Sequence, residues 1–130
     1  MLYSILIYGA ESLVERFSEA EVEAILEKHY ALQGKLGETG KLGPFARLMP
    51  TTTAVTLRSD KGEAVVLDGP FAETKEQLLG LYMVECETLE EAVAVARLLP
   101  TDVGALEVRP VHFYGPGVLP REPVEAKPYP

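Results

Sequence analysis

His29 stands in the run Ile25-Leu26-Glu27-Lys28-His29-Tyr30-Ala31-Leu32, with Leu36 one turn further on. A helix through this run carries the imidazole on the same face as Ile25, Leu26, Leu32 and Leu36. An imidazole held there titrates near neutral pH and suits a general acid or base. It equally suits a partly buried structural role, bonded to a backbone carbonyl. Asp68 opens a second stretch, Asp68-Gly69-Pro70-Phe71-Ala72-Glu73-Thr74-Lys75-Glu76. Its carboxylate can hold nearby amides in an Asx turn. It can also stand at a pocket mouth, orienting His29 or a substrate, because a carboxylate has two acceptor oxygens. If the turn role holds, Asp68→Ala removes the equivalent of a cap, about 0.5–2 kcal/mol. His29 and Asp68 are therefore the candidate catalytic pair.

Around them stand candidate binding residues. Phe71 is an anchor for a core or interface, or a stacking platform. Glu73, Lys75 and Glu76 make a solvated cluster or an ion-pair clasp on the loop. Tyr8 and Tyr82, with Tyr3, either aim hydroxyls into a pocket or pack in a core or interface. No metal site is expected: the two histidines, His29 and His112, lack ligand spacing, and Cys86 has no CxxC partner. Gly34-Lys35-Leu36-Gly37 lies in or at the end of a helix and lacks phosphate-loop spacing. Ser4, Ser12, Ser18 and Ser59 have no nucleophile-elbow context, so covalent catalysis is not expected, nor is a cofactor.

The elements that carry these residues follow from pattern. Leu2–Tyr8 and about Leu78–Cys86 are apolar at both parities and read as central strands. Ser18-Glu19-Ala20-Glu21 is a capping box that starts a helix running to about Leu36, ended by Gly37 and Gly40. Gly40 to Thr52 reads as a loop, punctuated by Gly43-Pro44 and Pro50. Thr53–Arg58 and Glu63–Leu67 read as a hairpin turned by Ser59-Asp60-Lys61-Gly62. Thr88-Leu89-Glu90-Glu91 caps a second helix, stopped by Pro100. Leu106–Phe113 is the last strand, and Pro110 suits it to an edge.

The order is β-α-β-β-β-α-β. Folding the short hairpin into the connection gives an α+β ferredoxin-like βαββαβ core. Two helices cover one sheet face only, so the other face asks for a second copy, and a homodimer is expected. The folded domain spans 1–114. Residues 115–130 form a tail with five prolines, Pro116, Pro120, Pro123, Pro128 and Pro130.

Composition narrows the partners. At 130 residues the chain is one domain, and its 47% hydrophobic and 25% charged content is ordinary for a globular protein. A net charge of −8 speaks against nucleic acid and against an anionic membrane surface. No apolar run is long enough for a membrane span, and no signal peptide is evident. A lone cysteine fits a reducing cytoplasm.

Asp68-Gly69-Pro70-Phe71 resembles the signature of the YCII-related proteins, in the subgroup named after that tetrapeptide (DGPF). Leu2–Gly9, Lys28–Gln33, Thr53–Arg58 and Glu107–Val111 resemble the family's first strand, first helix, second strand and last strand. The resemblance covers roughly Met1 to Phe113. It implies a ferredoxin-like fold paired as a dimeric α/β barrel, with an enzyme-like pocket of unassigned activity. It also implies a gene that, as for many members, stands beside one for an alternative sigma factor. Relatives often carry Asp-Pro near the end of the second helix; this chain has Leu99-Pro100, which removes that aspartate from any mechanism.

Three functions are then open. One is a cofactor-independent small-molecule enzyme with His29 as acid/base, acting on a small organic ligand. The second is a ligand-sensing or protein-binding regulatory module. The third is a purely structural homodimer.

Overall fold

The computed structural model describes residues 1–126. Six strands and three helices follow in the order β1 (Leu2–Gly9), α1 (Glu11–Val14), α2 (Glu19–Glu38), β2 (Leu42–Arg47), β3 (Val55–Asp60), β4 (Glu63–Asp68), β5 (Gln77–Glu85), α3 (Leu89–Ala96) and β6 (Gly104–Pro110). A short 3-10 turn at Thr51–Thr53 lies between β2 and β3. The main sheet has strand order β2-β5-β1-β6 and is antiparallel throughout. With α2 and α3 as crossovers, this mixed α+β arrangement is compatible with a ferredoxin-like fold.

The core forms where helices meet one sheet face. Tyr3 and Ile5 of β1, and Tyr82 and Val84 of β5, are buried there against Leu32 and Leu36 of α2 and Ala92 and Ala96 of α3. Cys86 and Leu99 complete it. Ile5 is wholly buried and Leu32 nearly so; each such side chain contributes about 1.5–3 kcal/mol. Lys41, just before β2, reaches Glu91 of α3 at 3.0 Å and ties the two halves of the layer together. The opposite face carries Leu2, Ser4, Leu6 and Tyr8 of β1 with Leu81 and Met83 of β5, all only partly buried. Strand alternation puts them there, and no helix covers them.

Both helix starts match their sequence signals. Ser18 Oγ accepts from the Glu21 amide at 3.2 Å, and Glu21 reaches back to the Ser18 amide. Thr88 Oγ1 accepts from the Glu91 amide, but the Glu91 carboxylate takes the Glu87 amide instead. The second box is thus half a box, and the Glu91 carboxyl is held below its usual range by that amide first and by Lys41 next.

One assignment changes. The stretch Gly40–Thr52 contains a strand, not only loop. β2 is an edge strand, and Pro44 lies where its register with β5 shifts between Leu42 and Phe45. A bulge on an edge strand accommodates a proline, since no ladder amide is demanded of it. As a result the ferredoxin-like second strand is Leu42–Arg47. The hairpin β3–β4 is a separate two-stranded sheet outside that core. Its turn is the pair Lys61-Gly62, with φ of 50° and 87°, the left-handed pair that a tight hairpin requires.

Candidate functional site

α2 leans over the β2 edge of the sheet and brings His29 against Tyr82. The His29 Nδ1 atom lies 2.8 Å from the Tyr82 hydroxyl. Gln33, one turn along α2, donates from Nε2 to the same oxygen at 2.9 Å. The His29 and Tyr82 rings stack at 5.8 Å between centroids, and Phe45 of β2 stacks on Tyr82 at 5.3 Å. The helix spacing of His29 and Gln33 and the cross-strand pair Phe45↔Tyr82 explain why these four side chains meet.

Proton placement follows from the donor inventory. The Gln33 amide nitrogen can only donate, so the Tyr82 oxygen accepts there. The Tyr82 proton is then free to point at His29 Nδ1, which leaves the imidazole proton on Nε2. Nε2 has no hydrogen-bond partner among the described residues. Burial lowers the His29 pKa, and the positive charge of Arg47 lowers it further. Arg47 follows Phe45 by two residues on β2 and so shares its sheet face. Burial raises the Tyr82 pKa, partly opposed by the Gln33 hydrogen bond. Near neutral pH the site is a neutral imidazole with one free nitrogen, beside a neutral phenol and an exposed guanidinium.

The other candidates lie elsewhere. Asp68 closes β4 opposite Val55, in the two-stranded sheet, and makes no hydrogen bond to His29. Nor does its carboxylate hold the amides of its own turn. The turn is fastened by β3: the Gly69 amide donates to the Ala54 carbonyl at 2.7 Å, Thr56 Oγ1 to the Gly69 carbonyl, and Arg58 to the Phe71 carbonyl. Gly69 has φ 91°, a left-handed conformation open to glycine at little cost. Phe71 is 73% exposed. Glu73, Lys75 and Glu76 are exposed and form no ion pair with one another among the described residues. Tyr8 sits on the uncovered sheet face, away from His29. Of the candidates, the structure joins only His29 and Tyr82. Gln33, Phe45 and Arg47 are additions that sequence reasoning missed. The i, i+4 spacing of His29 and Gln33 was the available signal.

Two surface grooves lie away from His29. One, about 380 Å³, lies between α3 and β6 and is lined mainly by Leu89, Val93, Leu106 and Val108, with Arg97 on it. The other, about 440 Å³, lies between α1, α2 and the loop before β6, with Phe17, Ile25, Lys28 and Asp102 among its walls. His29 lines neither. Among the described residues no three His, Cys, Asp or Glu side chains gather as a metal cage, and no helix is long and apolar enough to cross a membrane.

Known proteins place this architecture. An uncharacterised protein of Rhizobium meliloti (strain 1021) is 51% identical over 123 residues, covering 92% of this chain and 99% of that one. The sequence profile of the YCII-related domain matches residues 1–113, which takes in every strand and helix described above. The chain belongs to the YCII-related family.

Proposed function

We propose that the chain is a cofactor-independent small-molecule enzyme that moves a proton at His29. The observation that carries this reading is the Gln33–Tyr82–His29 relay, with Nε2 free at its outer end. With the Tyr82 hydroxyl donating to Nδ1, His29 offers its Nε2–H to a substrate oxygen as an acid or neutral polarising donor. With the other tautomer, Nδ1–H donates to the Tyr82 oxygen and Nε2 becomes a base. Tyr82 serves both by rotating one hydroxyl. Arg47 favours a ligand with an anionic group, and Phe45 offers a ring face. Elimination or isomerisation next to a carbonyl fits such a set. Asp68, Phe71, Glu73, Lys75 and Tyr8 enter this reading only as parts of a ligand surface completed by a second subunit. The working unit is a homodimer built as an α/β barrel, located in the cytoplasm, and Asp68–Phe71 assigns the chain to the Asp-Gly-Pro-Phe subgroup.

The experiment is a screen of small organic acids and aromatic lactones against wild type, His29→Gln and Tyr82→Phe. Turnover should fall at least about 100-fold in His29→Gln while binding persists. Equal turnover in wild type and His29→Gln overturns the acid/base role.

A second reading is a non-catalytic ligand-sensing or protein-binding module tied to sigma-factor regulation. The exposed Phe71 and the absence of His29 from both grooves favour it. Ligand binding without turnover, abolished by Arg47→Met and indifferent to His29→Gln, selects this reading.

A further inference from the structure

We propose that the His29 site takes a planar conjugated monocarboxylate, its carboxylate held by Arg47 and its plane lying against the Phe45 ring. The inference rests on the proton-transfer reading above; it names the substrate class of that site and the residue that recognises it. The plane comes first. The Tyr82 ring stands 17° from the plane of His29 and 20° from that of Phe45. Phe45 remains 45% exposed. Near-parallel rings with one of them open to solvent suit a flat ligand better than a branched aliphatic one.

The charge comes from Arg47. It follows Phe45 by two residues and pairs with Gly80, as Phe45 pairs with Tyr82. A Cβ at Gly80 would meet the Ala46 carbonyl oxygen at 2.5 Å and the Arg47 Cα at 3.3 Å. Glycine there lets β2 draw Arg47 in beside the rings. The chain has 20 acidic residues to 12 basic ones, yet Arg47 is exposed and makes no ion pair among the described residues. An unpaired guanidinium beside a neutral imidazole is a place for a ligand's carboxylate, which the planar fork holds by two parallel bonds. The groups that bear on His29 are Tyr82 of β5, Gln33 of its own helix through that hydroxyl, and Arg47 of β2. β1 adds the apolar Ile5 and Ile7, opposite Tyr82 and Gly80. The ligand is thereby coupled to the ring. Burial lowers the His29 pKa and the Arg47 charge lowers it further. A carboxylate seated on Arg47 offsets that charge and favours the imidazolium, so the ligand's own anion readies His29 to give a proton.

The test reads affinity and the His29 titration together, by proton–nitrogen NMR on the His112→Gln chain, where His29 is the one histidine left. The probes are cinnamate, its uncharged amide cinnamamide, and 3-cyclohexylpropionate, which keeps the carboxylate without the plane. Cinnamate should bind at least about 10-fold more tightly than either. Arg47→Met should bring cinnamate down to the level of the amide, and Arg47→Lys should fall between. The His29 pKa should lie higher with cinnamate bound than with cinnamamide bound, since the two bury the ring alike. Cinnamate and cinnamamide within about threefold of one another, or a preference that survives Arg47→Met, overturns the carboxylate site. 3-Cyclohexylpropionate within about threefold of cinnamate overturns the planar class. Should Arg47→Met lose its circular dichroism signal, salt decides on wild type. A cinnamate preference that shrinks at high salt supports the site, and one indifferent to salt overturns it. His29→Gln separates this inference from the catalytic one. A cinnamate preference kept in that variant, with turnover also unchanged in the substrate screen, overturns the acid/base role and supports the ligand class. Turnover that needs His29 on a substrate without a carboxylate overturns the class and leaves the acid/base role standing.

Discussion

The Tyr82 hydroxyl and His29 Nδ1 meet at 2.8 Å across 53 residues of chain, and Gln33 fills the second position on the same oxygen. This fixes the ring by its inner nitrogen and leaves the outer one without a hydrogen-bond partner among the described residues. Tyr82→Phe removes the shared oxygen while keeping the ring that stacks with His29 and Phe45. Two partly buried nitrogen groups then lose their partner. The expected loss is about 1–3 kcal/mol in chemical denaturation. Nitrogen chemical shifts should show the Nε2–H tautomer of His29 in wild type and a mixture in the variant. An unchanged shift pattern would show that the phenol does not set the tautomer.

Stability should follow the His29 titration. Burial and Arg47 place its folded pKa below the usual 6.5. Above that value both folded and unfolded chains carry the neutral ring, and the stabilisation is fully present. As pH falls through 6.5 towards the folded pKa, the unfolded chain takes up the proton first, so stability declines. His29→Gln, which keeps an acceptor for Tyr82, should flatten this part of the curve. Denaturation midpoints measured from mildly acidic to neutral pH check it. A slope equal to wild type would assign the decline to other groups.

Glu11, not Asp68, is the carboxylate that anchors the connection leading to the signature loop. Its two oxygens accept from the Thr51 amide at 2.8 Å and the Thr51 hydroxyl at 2.5 Å, while its own amide donates to Gln77. Glu11→Ala should cost about 0.5–2 kcal/mol, the range for losing a side-chain cap. Asp68→Ala should stay within about 0.5 kcal/mol, as for an exposed surface change. Paired urea titrations separate the two. A larger loss at Asp68 would restore the Asx-turn role that its position after an apolar run suggests.

That contrast shows what the sequence can carry. Strands β1 and β5 are legible because apolar residues fill both parities of each. Ser18 with Glu21 is legible because a cap is a local bond between neighbours. β2 is hidden because its punctuation, Gly43-Pro44 and Pro50, is that of a loop; only its place on a sheet edge makes the proline harmless. α1 is a single turn without a side-chain cap and leaves no periodic trace. His29 was readable as an inward imidazole on its helix. Its partner was not, because the cross-strand register that sets Tyr82 beside Phe45 is a tertiary fact. The Asp68 pairing fails for the same reason. Nearness to an apolar run in sequence does not say which sheet the run joins, and β3–β4 joined neither β1 nor β5.

Gly80 and Gly104 are among the glycines that let the strands of the main sheet close on one another. A Cβ on Gly80 would sit 2.5 Å from the Ala46 carbonyl oxygen, and one on Gly104 would meet the Tyr8 carbonyl oxygen and the Gly9 backbone. Backbone, not a flexible side chain, is the obstacle in both cases. Gly80→Ala should therefore loosen the β2 edge, and Gly104→Ala should loosen β6 from β1. Overpacking of this kind costs about 1–3 kcal/mol. Gly34→Ala, on α2 with open space at its Cβ, is the control and should raise stability by about 0.4–1 kcal/mol. Thermal melts of the three variants check the order. Gly80→Ala also shifts Phe45, so it should disturb the His29 resonance, which Gly104→Ala should leave in place.

Truncation after Tyr114 addresses the remaining apolar surface. Val118, Leu119 and Val124 are at least 80% exposed and touch no part of the core. Their prolines, Pro116, Pro120 and Pro123, cannot extend a ladder from β6; Pro128 and Pro130 lie outside the described residues. Such a segment gives nothing to the single chain but can still lie on a partner, since an extended proline-rich strand loses little entropy on binding. The truncated chain should keep its melting temperature within about 2 °C when dilute. If the uncovered sheet face alone holds two copies together, the truncated chain should also keep the wild-type dimer constant. A melting temperature that falls only at high concentration would place the tail in an interface between copies. A fall at every concentration would mean that the tail packs on its own domain.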